Sequence, residues 1–154
     1  MSAPTIRPLT TDPEAEACAA LMASSKPWTT LGRDYDTLLR FARDPSRERY
    51  VAYQDGRLAG FVFLNLQGAF VGYLQTICVA PAFRNAGIGS ALIAFAEERI
   101  FRDHANVFLC VSSFNQAARR LYERLGYTVV GELTDYLMPG QSELLLRKSR
   151  GPIG

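Results

Sequence analysis

The chain has 154 residues, 48% of them hydrophobic and 21% charged, and carries a formal net charge of +2. That balance fits one globular domain with one core, and the small, scattered charge gives no case for nucleic acid. No apolar run reaches the ~18 residues of a membrane span, Met1-Ser2-Ala3-Pro4-Thr5 has no basic-then-apolar leader, and Cys18, Cys78 and Cys110 lack metal-like spacing, so the expectation is a cytoplasmic protein with buried thiols.

In chain order, Thr5 to Leu9 reads as a first strand. Asp12-Pro13-Glu14 reads as a helix start, with Asp as cap and Pro in the first turn, and the helix runs to about Ala23, broken at Ser24-Ser25-Lys26-Pro27. A second helix covers Asp34 to Arg43 and ends before Pro45. Tyr50 to Gln54 and Leu58 to Leu64 flank Asp55-Gly56, a strong two-residue hairpin signal. Phe70 to Val79 continues the meander. A Gly-rich turn, Arg84-Asn85-Ala86-Gly87-Ile88-Gly89-Ser90, leads into a helix that buries Ile88, Leu92, Phe95 and Ala96. Val107 to Val111 is a continuous apolar run, expected to be buried on both faces. Asn115 caps a helix from Gln116 to Leu125 that Gly126 ends, and strands follow over Tyr127 to Leu133 and Ser142 to Arg147. The order β-α-α-β-β-β-α-β-α-β-β is that of an α/β domain with helices on both faces of a mixed sheet. The expected domain is 1–154, with 150–154 as a flexible tail.

A Gly-rich turn between a strand and a helix N-terminus suits phosphate. The first helical N–H groups have no intrahelical partner and carry partial positive charge, and glycine admits close approach. The turn lacks the Gly-Lys-Ser/Thr ending of a nucleoside-triphosphate loop and the third glycine of a dinucleotide site. Taken alone, Gly87 and Gly89 are equally consistent with a tight turn and no ligand.

Arg84-x-x-Gly87-x-Gly89, placed after a strand ending Ile77-Cys78-Val79-Ala80-Pro81, resembles the acetyl-CoA-binding motif of the GCN5-related N-acetyltransferases. Asn115 to Tyr127 resembles that family's second cofactor motif, Asn-x-x-Ala-x-x-x-Tyr-x-x-x-Gly-Phe/Tyr, and the spacing between the two agrees. Within the family the chain looks most like acetylases of protein N-terminal amines of the ribosomal-protein-alanine type, from Pro27-Trp28 and Asp135-Tyr136. The resemblance implies a single-domain fold: a mixed, mostly antiparallel seven-stranded sheet, a central splayed parallel pair and about four helices. It implies acetyl-CoA as acetyl donor, no metal, and a primary amine as acceptor, on a protein N-terminus or a small molecule. It implies no nucleic-acid or membrane partner, and a monomer or homodimer.

The same resemblance assigns roles. Backbone groups from Asn85, Ala86, Gly87, Ile88, Gly89 and Ser90 would cradle the pyrophosphate, with Arg84 adding charge. Ile77, Cys78 and Val79 would hold the pantetheine arm along an open strand edge and offer an oxyanion donor. Tyr122 would protonate the leaving sulfur, and Asn115 would both cap its helix and touch the arm. A base is less explicit. Where some members place a Glu in the strand before the second motif, this chain has Cys110, which cannot do that job. Tyr73, relaying through water, is the first candidate and Gln75 the second; strand alternation places both on one face with Ile77 and Val79. Trp28, Gln75 and Tyr136 would line the acceptor side. Without the resemblance, each of these aromatics also reads as ordinary packing. The alternative function is a non-catalytic acyl-CoA sensor on the same scaffold.

Overall fold

The computed structural model describes residues 3–153. The leader reading at Met1-Ser2 and the end of the tail at Gly154 lie outside them. Strands β1 (Thr5–Pro8), β2 (Glu48–Gln54), β3 (Arg57–Asn65), β4 (Tyr73–Val79), β5 (Asn106–Ser112), β6 (Thr128–Thr134) and β7 (Ser142–Ser149) form one sheet in the order β1-β2-β3-β4-β5-β7-β6. Helices α1 (Asp12–Ala23) and α2 (Tyr35–Arg43) belong to one face, α3 (Ile88–Phe101) and α4 (Gln116–Arg124) to the other. No described helix is long and apolar enough to cross a membrane.

Local sequence explains the element ends. The cap of α1 is Thr11, one residue before the expected Asp12. Thr11 accepts from the Glu14 N–H and the Glu14 carboxylate accepts from the Thr11 N–H, a reciprocal box that places Asp12 and Pro13 inside the first turn. Asp34 caps α2 through the Thr37 N–H at 2.8 Å. The β2–β3 hairpin turns at Asp55 and Gly56, both at positive φ.

Two apolar clusters hold the layers together. One joins Val62, Leu64, Leu92, Ile100, Val107 and Leu146 between the sheet and α3 and α4. The other joins Cys18, Met22, Leu38, Val51, Phe61 and Phe63 under α1 and α2. Each large side chain so buried contributes about 1.5–3 kcal/mol against conformational entropy.

The parallel contact between β4 and β5 is confined to Tyr73 and Phe108, so the two strands splay from that point. Gly72 sets the hinge. Its φ is 97°, its carbonyl accepts from the Phe108 N–H at 3.0 Å, and a Cβ there would lie 2.1 Å from the Asn106 carbonyl oxygen. This approach also explains why β4 starts at Tyr73 rather than Phe70: a left-handed residue interrupts the extended backbone.

The expected face-sharing along β4 does not hold. Phe63 pairs with Thr76 but Leu64 pairs with Leu74, so Gln75 is the extra residue of a bulge. Leu74, Ile77 and Val79 all pack on the α3 side, while Cys78 packs on the α1–α2 side. The bulge reverses the alternation and turns Tyr73 and Gln75 toward α1 and α2. On β5, Leu109 and Val111 are buried while Phe108 and Cys110 are half-exposed, so this strand is not buried on both faces as its apolar run implied.

Candidate active site

The splay opens a cavity of about 640 Å³ that passes across the sheet. On the α3–α4 side its wall includes Gly89, Ile93, Asn115 and Tyr122; on the α1–α2 side it includes Trp28, Phe41, Tyr73 and Cys110. Ile77, Cys78 and Val79 border it along the β4 edge that β5 has left.

The turn before α3 is built as a backbone concavity. Asn85 (φ 61°) and Gly87 (φ 82°) are both left-handed, and Gly87 is the N-cap of α3. A Cβ at Gly87 would meet nothing within 4 Å, so its conformation rather than space calls for glycine. The first intrahelical bond of α3 runs from the Ala91 N–H to the Gly87 carbonyl, leaving the N–H groups of Ile88, Gly89 and Ser90 without helical acceptors. Arg84 lies at the end of the preceding 3₁₀ turn (Pro81–Phe83) and forms no ion pair among the described residues.

Tyr122 is 6% exposed and has no hydrogen-bond partner among the described residues. Its ring meets Tyr127 edge-on at 5.6 Å, and the Tyr127 hydroxyl donates to Glu97 on α3 at 2.8 Å. That chain fixes the Tyr122 ring at the cavity wall, and burial pushes its phenol well above the ordinary range. Asn115 caps α4 by accepting from the Ala118 N–H at 3.3 Å, so its capping role and its place at the cavity coexist.

On the other side, Tyr73 of β4 and Cys110 of β5 border the cavity as neighbours. Burial, then the neighbouring Cys110, raise the Tyr73 phenol far above its ordinary value, so it stays protonated at neutral pH. Burial pushes the Cys78 thiol up to about 11 and raises that of Cys110. Gln75 reaches the cavity, but its carbonyl oxygen accepts from Arg47 Nε at 2.6 Å, and Arg47 also pairs with Asp44 and stacks on Phe41. Trp28 packs against the second cluster. Tyr136, 62% exposed, sits on a loop closed by the Gly140 N–H donating to Asp135 Oδ1 at 2.7 Å.

Sequence reasoning missed Glu143. It is 6% exposed, lines the same cavity, and opposes Ser112 in the β5–β7 register. Burial raises its carboxyl pKa while a hydrogen bond from Ser112 opposes the rise. The available signal was slight: Glu143 directly precedes the apolar run Leu144-Leu145-Leu146 of a strand.

The profile of the acetyltransferase (GNAT) family matches residues 15–127. The chain is 34% identical over 98 residues to the peptidyl-lysine N-acetyltransferase YiaC of Escherichia coli K12, a match covering 64% of this chain and 62% of that enzyme's length. It is 32% identical over 111 residues to the uncharacterised N-acetyltransferase MJ1530 of Methanocaldococcus jannaschii, covering 68% and 70%. Among solved structures, an aminoglycoside 6′-N-acetyltransferase complexed with coenzyme A superposes with a TM-score of 0.78 at 18% identity, covering 97% of this chain and 99% of that one. The ribosomal-protein-S18-alanine N-acetyltransferase of Escherichia coli gives 0.74 at 22%, covering 99% and 97%, and these two likenesses speak for the fold. With the profile spanning most of the chain and both motifs meeting at one splayed strand pair, this protein belongs to the GNAT family of acetyltransferases.

Proposed function

We propose that this protein transfers an acetyl group from acetyl-CoA to a primary amine by direct attack. The observation that carries the reading is the β4–β5 splay, joined at Tyr73–Phe108 and bordered by Tyr122. The residues present fit CoA. Beyond Tyr73 the β4 edge has no register partner on β5 among the described residues, which leaves backbone donors and acceptors for the amide-bearing pantetheine arm. The turn from Asn85 to Ser90 offers free N–H groups and a helix dipole to a pyrophosphate, with Arg84 unpaired beside it. When bound, acetyl-CoA supplies an activated acyl carbon and a thiolate leaving group.

The chain's own residues would do the rest. Backbone N–H groups near Cys78 and Val79 would donate to the carbonyl oxygen as it gains charge, an effect worth about 3–4 kcal/mol in comparable sites. Tyr122, kept protonated by burial, would give its proton toward the departing sulfur. Tyr73, kept protonated by burial, has oxygen lone pairs with which to accept from the acceptor amine or a relaying water. Trp28 and Tyr136 would shape the acceptor's approach, with Gln75 restrained by Arg47.

The test is incubation with acetyl-CoA and a panel of amines: an alanyl peptide, an Nα-blocked lysine, spermidine and an aminoglycoside. Free thiol should appear with an acceptor and not without one. Tight CoA binding with no acceptor-dependent release across the panel would favour the sensor reading instead.

A further inference from the structure

Glu143 is a buried carboxylate with no ion-pair partner among the described residues. The ion pairs of the described residues engage Glu14, Glu48, Glu97, Glu123, Asp12, Asp44 and Asp103, but not Glu143. Ser112 stands opposite it on β5. A carboxylate at 6% exposure with so little compensation is costly to keep ionised unless something charged comes to it. The wall of the cavity it lines also includes Trp28, Tyr73 and Tyr136, while Phe41 already carries the Arg47 guanidinium over its ring. Aromatic walls around one buried carboxylate form a receptor for an ammonium group, through ring quadrupole and charge together.

The groups around Glu143 leave that vacancy of charge in place. From β4 comes Tyr73, from β5 Cys110 and Ser112, from the β6–β7 loop Tyr136, and from β6 the apolar Leu133 that pairs with Glu143. Lys26 and Arg33 border the cavity from the α1–α2 segment, and neither is paired with Glu143. Tyr73, Cys110 and Glu143 border the same cavity, with Glu143 opposite Ser112 on the splayed side of the Tyr73–Phe108 junction.

We propose that Glu143 receives the acceptor as its ammonium ion and takes the proton that frees the attacking nitrogen, an inference that rests on the acetyltransferase reading above. The balance is simple. R–NH₃⁺ and Glu143–COO⁻ become R–NH₂ and Glu143–COOH. The C–N bond forms and the C–S bond breaks; the nitrogen's second proton replaces, on Tyr122, the one Tyr122 gave to sulfur. Glu143 returns its proton to solvent, so the cycle releases one H⁺. The raised carboxyl pKa brings the residue nearer to the amine it must deprotonate. On this account the carboxylate absent at Cys110 is supplied from the neighbouring strand.

The experiment uses the CoA-saturated protein and Glu143→Gln, which keeps the side chain's shape. Calorimetry at pH 7 compares benzylamine with benzyl alcohol. Wild type should prefer the ammonium by about tenfold or more, and Glu143→Gln should lose that preference while binding CoA as before. No preference in wild type, or the same preference in the variant, overturns the proposal. In turnover of the best amine of the panel, Glu143→Gln should fall about 100-fold at pH 7 and recover as pH rises and free amine becomes abundant, with partial rescue by Glu143→Asp. A variant pH profile that parallels wild type also overturns it. Failure of wild type to bind CoA at all would instead remove the acetyltransferase reading beneath it.

Discussion

Tyr73 and Phe108 are the register partners that join β4 to β5 among the described residues, and everything beyond them toward Val79 diverges. One residue earlier, Gly72 lies so close to Asn106 that a Cβ would sit 2.1 Å from its carbonyl oxygen. Gly72→Ala therefore both strains a φ of 97° and forces the strands apart at their junction. The expected cost is about 1–3 kcal/mol, seen as a Tm lower by several degrees, together with weaker CoA binding. A Tm equal to wild type would show that the junction adjusts freely and does not set the splay.

Tyr122→Phe removes a hydroxyl that has no hydrogen-bond partner among the described residues, so folding should be little affected. If it protonates the leaving sulfur, kcat should fall by about 10²–10³ with CoA affinity retained. Unchanged turnover would relegate Tyr122 to packing against Tyr127.

Cys110 and Cys78 border the cavity, yet burial raises both thiols, and the Glu143 charge raises that of Cys110 further. Cys110→Ala should keep activity within about tenfold of wild type, and mass spectrometry should find no acetylated cysteine during turnover. An acetyl-cysteine trapped at Cys110, with loss of activity in the alanine variant, would establish a two-step route instead.

The Glu14 carboxyl makes the fold sensitive to acid. Burial alone would raise it, but Arg7 Nη2 at 2.6 Å, the N–H groups of Thr10 and Thr11 and the Tyr53 hydroxyl hold it down to about 2. Because the folded value lies below the ordinary 4.5, this stabilisation is complete above about pH 4.5 and is lost as pH falls toward 2. Its size is about 2–3 kcal/mol. Urea unfolding should find Glu14→Gln less stable than wild type at pH 7, with the gap closing between pH 4.5 and 2. A gap of constant size would mean that packing, not charge, ties β1 and β2 to α1.

Much of the site was legible because it rests on local chemistry. Gly87 is left-handed and caps α3, Asn115 caps α4, and Asp55-Gly56 turns a hairpin; each follows from residues a few positions apart. Tyr122 follows from the same helix once Asn115 marks its start. The acceptor side was harder to read. Alternation along β4 placed Tyr73 and Gln75 with Ile77, but the bulge at Gln75 reverses that side assignment, and a bulge is decided by how β3 and β4 pair. Glu143 lies on a strand read only as the last of the sheet, and it gains meaning from Ser112 across the β5–β7 ladder and from Tyr73 across the splay.

By itself, then, the sequence determined the order of elements, the backbone concavity before α3 and the helix that borders the cavity, since caps, turns and glycine torsions depend on near neighbours. The tertiary structure decided where the strands part, which way Tyr73 points and which carboxylate joins it. These depend on strand pairing between distant segments, where a one-residue change in register exchanges the two faces of a sheet.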